Sequence, residues 1–118
     1  MTILGVDDAR MVLDALKEQL RRAVDGVRIE TAETGDEGLE VFRELVGRGA
    51  HVPLVISDQL MPGMRGEELL GEIHAIEPET LSVLLTGQAI ADAVGAAVNK
   101  ARFYRYIGKP WTEGDLVI

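Results

Sequence analysis

Short, almost continuously apolar runs alternate along the chain with segments in which apolar residues recur every three or four positions. Runs of the first kind are typical of strands covered on both faces, and they occupy residues 2–6 (TILGV), 54–57 (LVIS) and 81–85 (LSVLL). Residues 27–32 (VRIETA) instead alternate apolar and polar positions, and in residues 103–107 (FYRYI) an arginine lies among aromatic residues. The pattern predicts three central strands and two half-exposed edge strands.

Four periodic segments separate these strands, and each has a single apolar stripe that predicts a helix. The stripes consist of Val12, Leu16, Leu20 and Ala23; of Leu39, Phe42 and Val46; of Leu69, Ile73 and Ile76; and of Ile90, Val94 and Val98. Gly26, Gly47 and Pro78 follow or end the first three stripes, as is common where helices end. The fourth segment is rich in alanine, so we expect its helix to pack least firmly.

Strands that alternate with helices predict an α/β fold, in which a parallel sheet with right-handed crossovers carries helices on both faces. With the second and fifth strands at the edges, the expected order of the five strands is 2-1-3-4-5, as in flavodoxin-like folds. The topological switch point, where the strand order reverses and where such sheets bind their ligands, then lies at the carboxyl ends of the first and third strands. Residues 1–118 are expected to form a single domain. Only residues 115–118 remain for a fifth helix, so we expect that helix to be truncated and the chain to be the N-terminal fragment of a longer protein.

Composition excludes several classes of function. Hydrophobic residues make up 47% of the 118, enough for an ordinary core, and the absence of Cys excludes disulfides, thiol chemistry and cysteine-ligated metals. No apolar run approaches the ~20 residues of a membrane span, and charged residues follow Met1 too closely for a signal peptide. We therefore expect a cytoplasmic protein with no membrane contact. The net charge of -8 argues against direct binding of nucleic acid by this domain.

Three aspartates are predicted to meet at the switch point, because Asp7 and Asp8 follow the first strand and Asp58 follows the third. Taken singly, Asp7 or Asp8 is more typical of a helix N-cap, and Asp58 of a proline-glycine turn. Together they favour a hard cation, since unit charges about 4 Å apart repel by about 4 kcal/mol at an effective dielectric of about 20. Oxygen ligands without His or Cys suit Mg²⁺ or Mn²⁺.

Two further polar residues are predicted at the same edge, because Thr86 and Lys109 end the fourth and fifth strands. A threonine in this position is typically a helix cap, and a lone lysine is typically solvated. Their placement at successive strand ends instead favours a shared site, in which a hydroxyl and an ammonium group meet a phosphoryl oxygen.

The whole chain resembles the receiver domain of bacterial two-component response regulators. The resemblance rests on residues in the family's order and near its spacings: Asp7-Asp8, the Asp58-x-x-Met61-Pro62-Gly63-Met64 run, Thr86-Gly87, Tyr106 and Lys109-Pro110. It implies a signalling domain that takes a phosphoryl group from a histidine kinase and then controls an effector. Such a domain is not an enzyme in the usual sense, because it catalyses only its own phosphorylation and dephosphorylation.

The resemblance also implies a role for each site residue. Asp58 would be the phosphoacceptor. Asp8, Asp58 and the backbone carbonyl of Leu60 would hold the metal, with Asp7 acting through water. Lys109 would bind the phosphoryl group. We further expect Thr86 to form a hydrogen bond to that group and Tyr106 to change rotamer with activation.

Departures from the family pattern leave the lifetime of the phosphorylated state open. The side chain of Leu60 cannot orient an attacking water, and Gln88 is uncharged. One alternative function is a pseudo-receiver, which binds partners without being phosphorylated. A phosphatase of the haloacid-dehalogenase type is another, although Asp7-Asp8 lacks that family's Asp-x-Asp spacing. A flavin-binding domain fits less well, because the turn after the first strand is acidic.

A basic segment is the candidate output surface. Residues 93–112 contain Lys100, Arg102, Arg105 and Lys109 but no acidic residue. With Lys109 in the acceptor site, Lys100, Arg102 and Arg105 remain on the surface of the fourth helix and fifth strand. Receivers that resemble this chain engage partners there, so we expect an effector domain in cis or in trans, and possible homodimers.

Overall fold

The computed structural model describes residues 1–87 and 104–109, and strands and helices alternate along them. The elements in chain order are β1 (Thr2–Val6), α1 (Arg10–Ala23), β2 (Arg28–Ala32), α2 (Gly35–Gly47), β3 (Leu54–Asp58), α3 (Gly66–Ile76), β4 (Leu81–Gly87) and β5 (Tyr104–Lys109). The strands pair in parallel in the order β2-β1-β3-β4-β5. The parallel α/β fold predicted from the sequence is confirmed. The predicted fourth helix and the truncated fifth helix lie outside the described residues.

Helices cover both faces of the sheet. Because successive side chains of a strand point to opposite faces, neighbouring residues of one strand belong to different hydrophobic clusters. On one face, Phe42 of α2 and Leu69 of α3 are fully buried in a cluster that includes Val55 of β3. On the other face, Leu16 of α1 packs in a second cluster with Ile56, the next residue of β3. The uninterrupted apolar run of β3 is therefore explained by burial on both sides.

β2 is an edge strand, as its alternating sequence predicts. Its first residue, Arg28, is exposed and the next three are half-buried, whereas every residue of β1 and β3 is buried. β1 lies between β2 and β3. The carboxyl ends of β1 and β3 are thereby held side by side in the interior of the sheet.

The helix starts differ from one another in how they are capped. The Thr34 hydroxyl caps α2 by accepting a hydrogen bond from the Glu37 N–H at 3.0 Å. At α1 the N-cap residue is Ala9, whose own side chain makes no cap hydrogen bond. Neither aspartate is therefore the N-cap residue, the role that either of them would suggest if taken singly. Both aspartates lie in the connection between β1 and α1, at the carboxyl edge of the sheet.

Candidate functional site

Three carboxylates meet at the carboxyl edge of β1 and β3. These strands pair in parallel up to Val6 and Ser57, so the next residues along them, Asp7 and Asp58, are neighbours. One carboxylate oxygen from each of Asp7, Asp8 and Asp58 lies within 4.8 Å of the other two. The predicted meeting of the three aspartates is confirmed, with Asp58 as the last residue of β3 and not the first one after it.

Burial makes this cluster costly without a cation. Asp7 is 0% exposed and Asp58 is 7% exposed, while Asp8 is open to solvent. Carboxylates this close repel one another, and burial reduces the screening by water that would weaken the repulsion. A divalent ion with oxygen ligands offsets both effects, and the exposed side of Asp8 provides a route to solvent. The donor set therefore fits a hard metal ion.

Backbone contacts fix where the buried carboxylates lie. The Asp7 N–H donates to the carbonyl of Ala32 at the end of β2 (3.1 Å), and Asp7 Oδ1 accepts a hydrogen bond from the Ala9 N–H (2.8 Å). On β3, the Ser57 hydroxyl donates to the backbone carbonyl of Asp58 (2.9 Å). Ser57 was missed by the sequence analysis. Its signal was a single hydroxyl residue inside an otherwise apolar strand.

The segment between β3 and α3 is held tightly against the site. Gly63 adopts φ 79°, a left-handed conformation that suits glycine, and Met61 is buried in the core beneath α2 and α3. Leu60, the residue before Met61, is 56% exposed. Its side chain is thus directed away from the core, and its backbone is two residues from Asp58 along the chain.

Gly66, the first residue of α3, is in contact with the backbone of Asp58. A Cβ atom at this position would collide with the carbonyl oxygen of Asp58 and would lie 2.8 Å from Leu84 Cδ1. Only glycine allows the first turn of α3 to lie so close to the end of β3. The turn at Pro62-Gly63 is predictable from the sequence, but the role of Gly66 is not, because nothing in the local pattern distinguishes this glycine.

The strand register places Thr86 and Lys109 at the same edge. Asp58 pairs with Leu85, the residue before Thr86, and Gly87 of β4 pairs with Lys109 of β5. Two further predicted residues, Tyr106 and Arg105, also lie in β5. Lys100, Arg102 and Gln88 lie outside the described residues.

In the part of the chain that is described, no helix has the length and apolar character needed to span a bilayer.

Comparison with known proteins agrees with this arrangement. A family model for the response regulator receiver domain matches residues 3–118. Among curated proteins, the hydrogenase transcriptional regulatory protein HoxA of Cupriavidus necator is 34% identical over 116 residues, which is 98% of this chain and 22% of HoxA. The chain thus spans about a fifth of the length of this relative.

Solved structures match over nearly the whole chain. A response regulator receiver domain protein from Clostridium thermocellum has a TM-score of 0.80 and 34% identity, covering 98% of this chain and 86% of the other. The response regulator TrrA from Thermotoga maritima, solved in complex with Mg²⁺-BeF, has a TM-score of 0.75 and 32% identity, covering 98% and 91%. The chain therefore belongs to the response regulator receiver domain family.

Proposed function

We propose that this chain is the phosphoacceptor module of a two-component system and that Asp58 receives the phosphoryl group. The observation that carries the proposal is the position of Asp58, nearly buried at the end of β3 and within 4.8 Å of two other carboxylates. A carboxylate oxygen of Asp58 attacks the phosphorus of a phosphohistidine on the kinase. The P–N bond breaks, and its electron pair stays on the imidazole nitrogen, which then takes up a proton.

We propose that the acidic cluster holds Mg²⁺ or Mn²⁺ through Asp8, Asp58 and the backbone carbonyl of Leu60, with Asp7 acting through water. The all-oxygen donor set and the TrrA complex with Mg²⁺-BeF support this choice. Such an ion, when bound, offsets the negative charge of the phosphoryl oxygens. The chain supplies the fixed positions, because Asp7 is anchored to Ala9 and Asp58 ends a buried strand.

We propose that Lys109 pairs with the phosphoryl group, that Thr86 forms a hydrogen bond to it, and that Tyr106 changes rotamer with activation. The strand register supports this, since Thr86 follows the pairing partner of Asp58 and Lys109 lies at the end of the next strand. Phosphorylation then acts by shifting the population between two conformers, by an amount set by the contacts that differ between them.

Phosphorylation should depend strictly on a divalent metal. Incubated with a small acyl phosphate and Mg²⁺, the chain is expected to gain one phosphoryl group, measured as intact mass, and none in excess chelator. Without the ion, the negative charges of three neighbouring carboxylates repel the incoming phosphate. Absence of incorporation at any metal concentration would favour a pseudo-receiver. Continuous release of phosphate from an added phosphomonoester would favour the phosphatase alternative.

We propose that the module works in the cytoplasm and passes its state to an effector in the same chain or in a separate protein. HoxA, the relative of which this chain spans 22%, carries the name of a transcriptional regulatory protein. The candidate output surface is the basic set predicted from the sequence, Lys100, Arg102 and Arg105, and a homodimer formed through it is one form of output.

Charge reversal tests the output surface. The double variant Arg102→Glu/Arg105→Glu is expected to keep its phosphorylation by an acyl phosphate but to lose about tenfold in the affinity of partner binding or dimerisation, since each reversal replaces attraction by repulsion. Sedimentation of the phosphorylated chain measures dimerisation. The matched control is Arg43→Glu/Arg48→Glu, which makes the same charge change at two exposed positions, one within α2 and one just after its end. Equal association of both variants and wild type would reject this surface.

A further inference from the structure

Gln59, the residue after Asp58, connects three separate elements. Its backbone N–H donates to the carbonyl of Leu85 on β4 (3.0 Å), and its own carbonyl accepts a hydrogen bond from the Gly66 N–H (3.1 Å). Its side chain reaches further, because Oε1 accepts a hydrogen bond from the Glu67 N–H at 2.9 Å. Glu67 is eight residues away in the sequence and lies in the first turn of α3. Gln59 therefore joins the end of β3 both to the adjacent strand and to the start of the next helix.

The side-chain bond serves a helix end that has no other side-chain cap. The N-cap residue of α3 is Arg65, which makes no side-chain cap hydrogen bond, although its extended backbone (φ -75°, ψ 158°) has N-cap geometry. The first N–H groups of a helix need an acceptor from outside the helix. Gln59 supplies one, from a residue that is next to the phosphoacceptor in the chain.

The position of Gln59 gives this bond a consequence beyond helix capping. Gln59 lies between Asp58 and Leu60, which are two of the ligands in the proposed metal site. Leu60 is exposed, so its own side chain does not hold it in place, and the nearest core anchor is Met61, the residue after it. The amide of Gln59 ties this segment to α3. Ligands that are already fixed in position bind an ion more tightly than ligands that must be ordered on binding.

We propose that Gln59 is a positioning residue for the metal site, which holds the Asp58–Leu60 segment in its binding geometry through the hydrogen bond to α3. This inference rests on the proposed function. Gln59 touches neither the ion nor the phosphoryl group; it acts through its two neighbours. In this role Gln59 differs from an ordinary helix cap, whose loss would affect stability alone.

Metal titration and thermal unfolding together test this role. In Gln59→Leu, which keeps the side-chain size but removes the acceptor, the Mn²⁺ dissociation constant measured by electron paramagnetic resonance is expected to rise about fivefold, the equivalent of one lost cap of about 1 kcal/mol. Gln59→Asn, one methylene too short to reach Glu67, is expected to show the same change. It provides the measurement if the leucine variant does not fold.

The decisive variant is Gln59→Leu/Arg65→Ser, which gives α3 a conventional cap from its own N-cap residue. It is expected to recover thermal stability but to keep the weakened Mn²⁺ binding, because the new cap makes no link to β3. The matched control, Thr34→Ala, removes the cap of α2 and should lower stability without changing Mn²⁺ affinity.

Recovery of Mn²⁺ affinity in the double variant, or unchanged affinity in both single Gln59 variants, would overturn the positioning role and leave Gln59 a helix cap. Failure of the wild-type chain to bind Mn²⁺ would instead overturn the proposed metal site, on which this inference rests.

Discussion

Replacement of Asp58 by asparagine is expected to abolish phosphorylation completely while the chain stays folded. The amide is close to the carboxylate in size but neutral, so it is a far weaker nucleophile toward phosphorus. The other carboxylates of the cluster are not equivalent, since Asp7 is fully buried with an oxygen bonded to the Ala9 N–H and Asp8 is exposed beyond the end of β1. Phosphoryl incorporation from a small acyl phosphate in saturating Mg²⁺, followed by intact mass, measures the effect.

Asp14→Asn is the matched control for this prediction. It makes the same chemical change at an exposed position of α1, and it should be labelled as fully as the wild-type chain. Persistent labelling of Asp58→Asn would assign the phosphoacceptor to another residue. Peptide mapping of the labelled product would identify which carboxylate of the cluster had taken its place.

Gly66→Ala is expected to destabilise the chain by about 3 kcal/mol, the upper end of the cost of overpacking. The added methyl group would collide with the carbonyl oxygen of Asp58, and a strand backbone cannot move aside as a flexible side chain can. The collision is relieved only if α3 withdraws from β3 or the end of β3 shifts. Urea unfolding measures the free energy, and the fraction of chain that accepts a phosphoryl group measures the displacement of Asp58.

Gly47→Ala is the control, because it is also a helical glycine but has no atom within 4 Å of an added Cβ. Alanine there should leave stability unchanged or raise it by about 0.5 to 1 kcal/mol, since it reduces the entropy of the unfolded chain. Equal stability of the two variants would mean that the first turn of α3 can shift away from β3 with little cost in the free energy of unfolding. In that case Gly66 would not be needed to set the position of Asp58.

Much of the fold could be predicted from the sequence, because burial determines which positions of each strand and helix are apolar. β1 was predicted with its observed bounds, and β3 to within one residue, because a strand buried on both faces must consist almost entirely of apolar residues. The alternation in β2 predicted an edge strand for the same reason. The meeting of Asp7, Asp8 and Asp58 was also predictable, since parallel neighbouring strands bring their carboxyl ends to one edge.

The sequence by itself thus determined the order of the elements, the faces they bury and the edge at which the acidic residues collect. Only the tertiary structure decided that Ala9 and not an aspartate is the N-cap of α1, that Gly66 lies against the backbone of Asp58, and that Gln59 reaches Glu67. Burial recurs at regular intervals along a strand or helix, so it produces a regular pattern of apolar residues in the sequence. The last two contacts depend instead on how the segment between β3 and α3 brings residues eight positions apart together, and a single close approach leaves no repeat in the sequence.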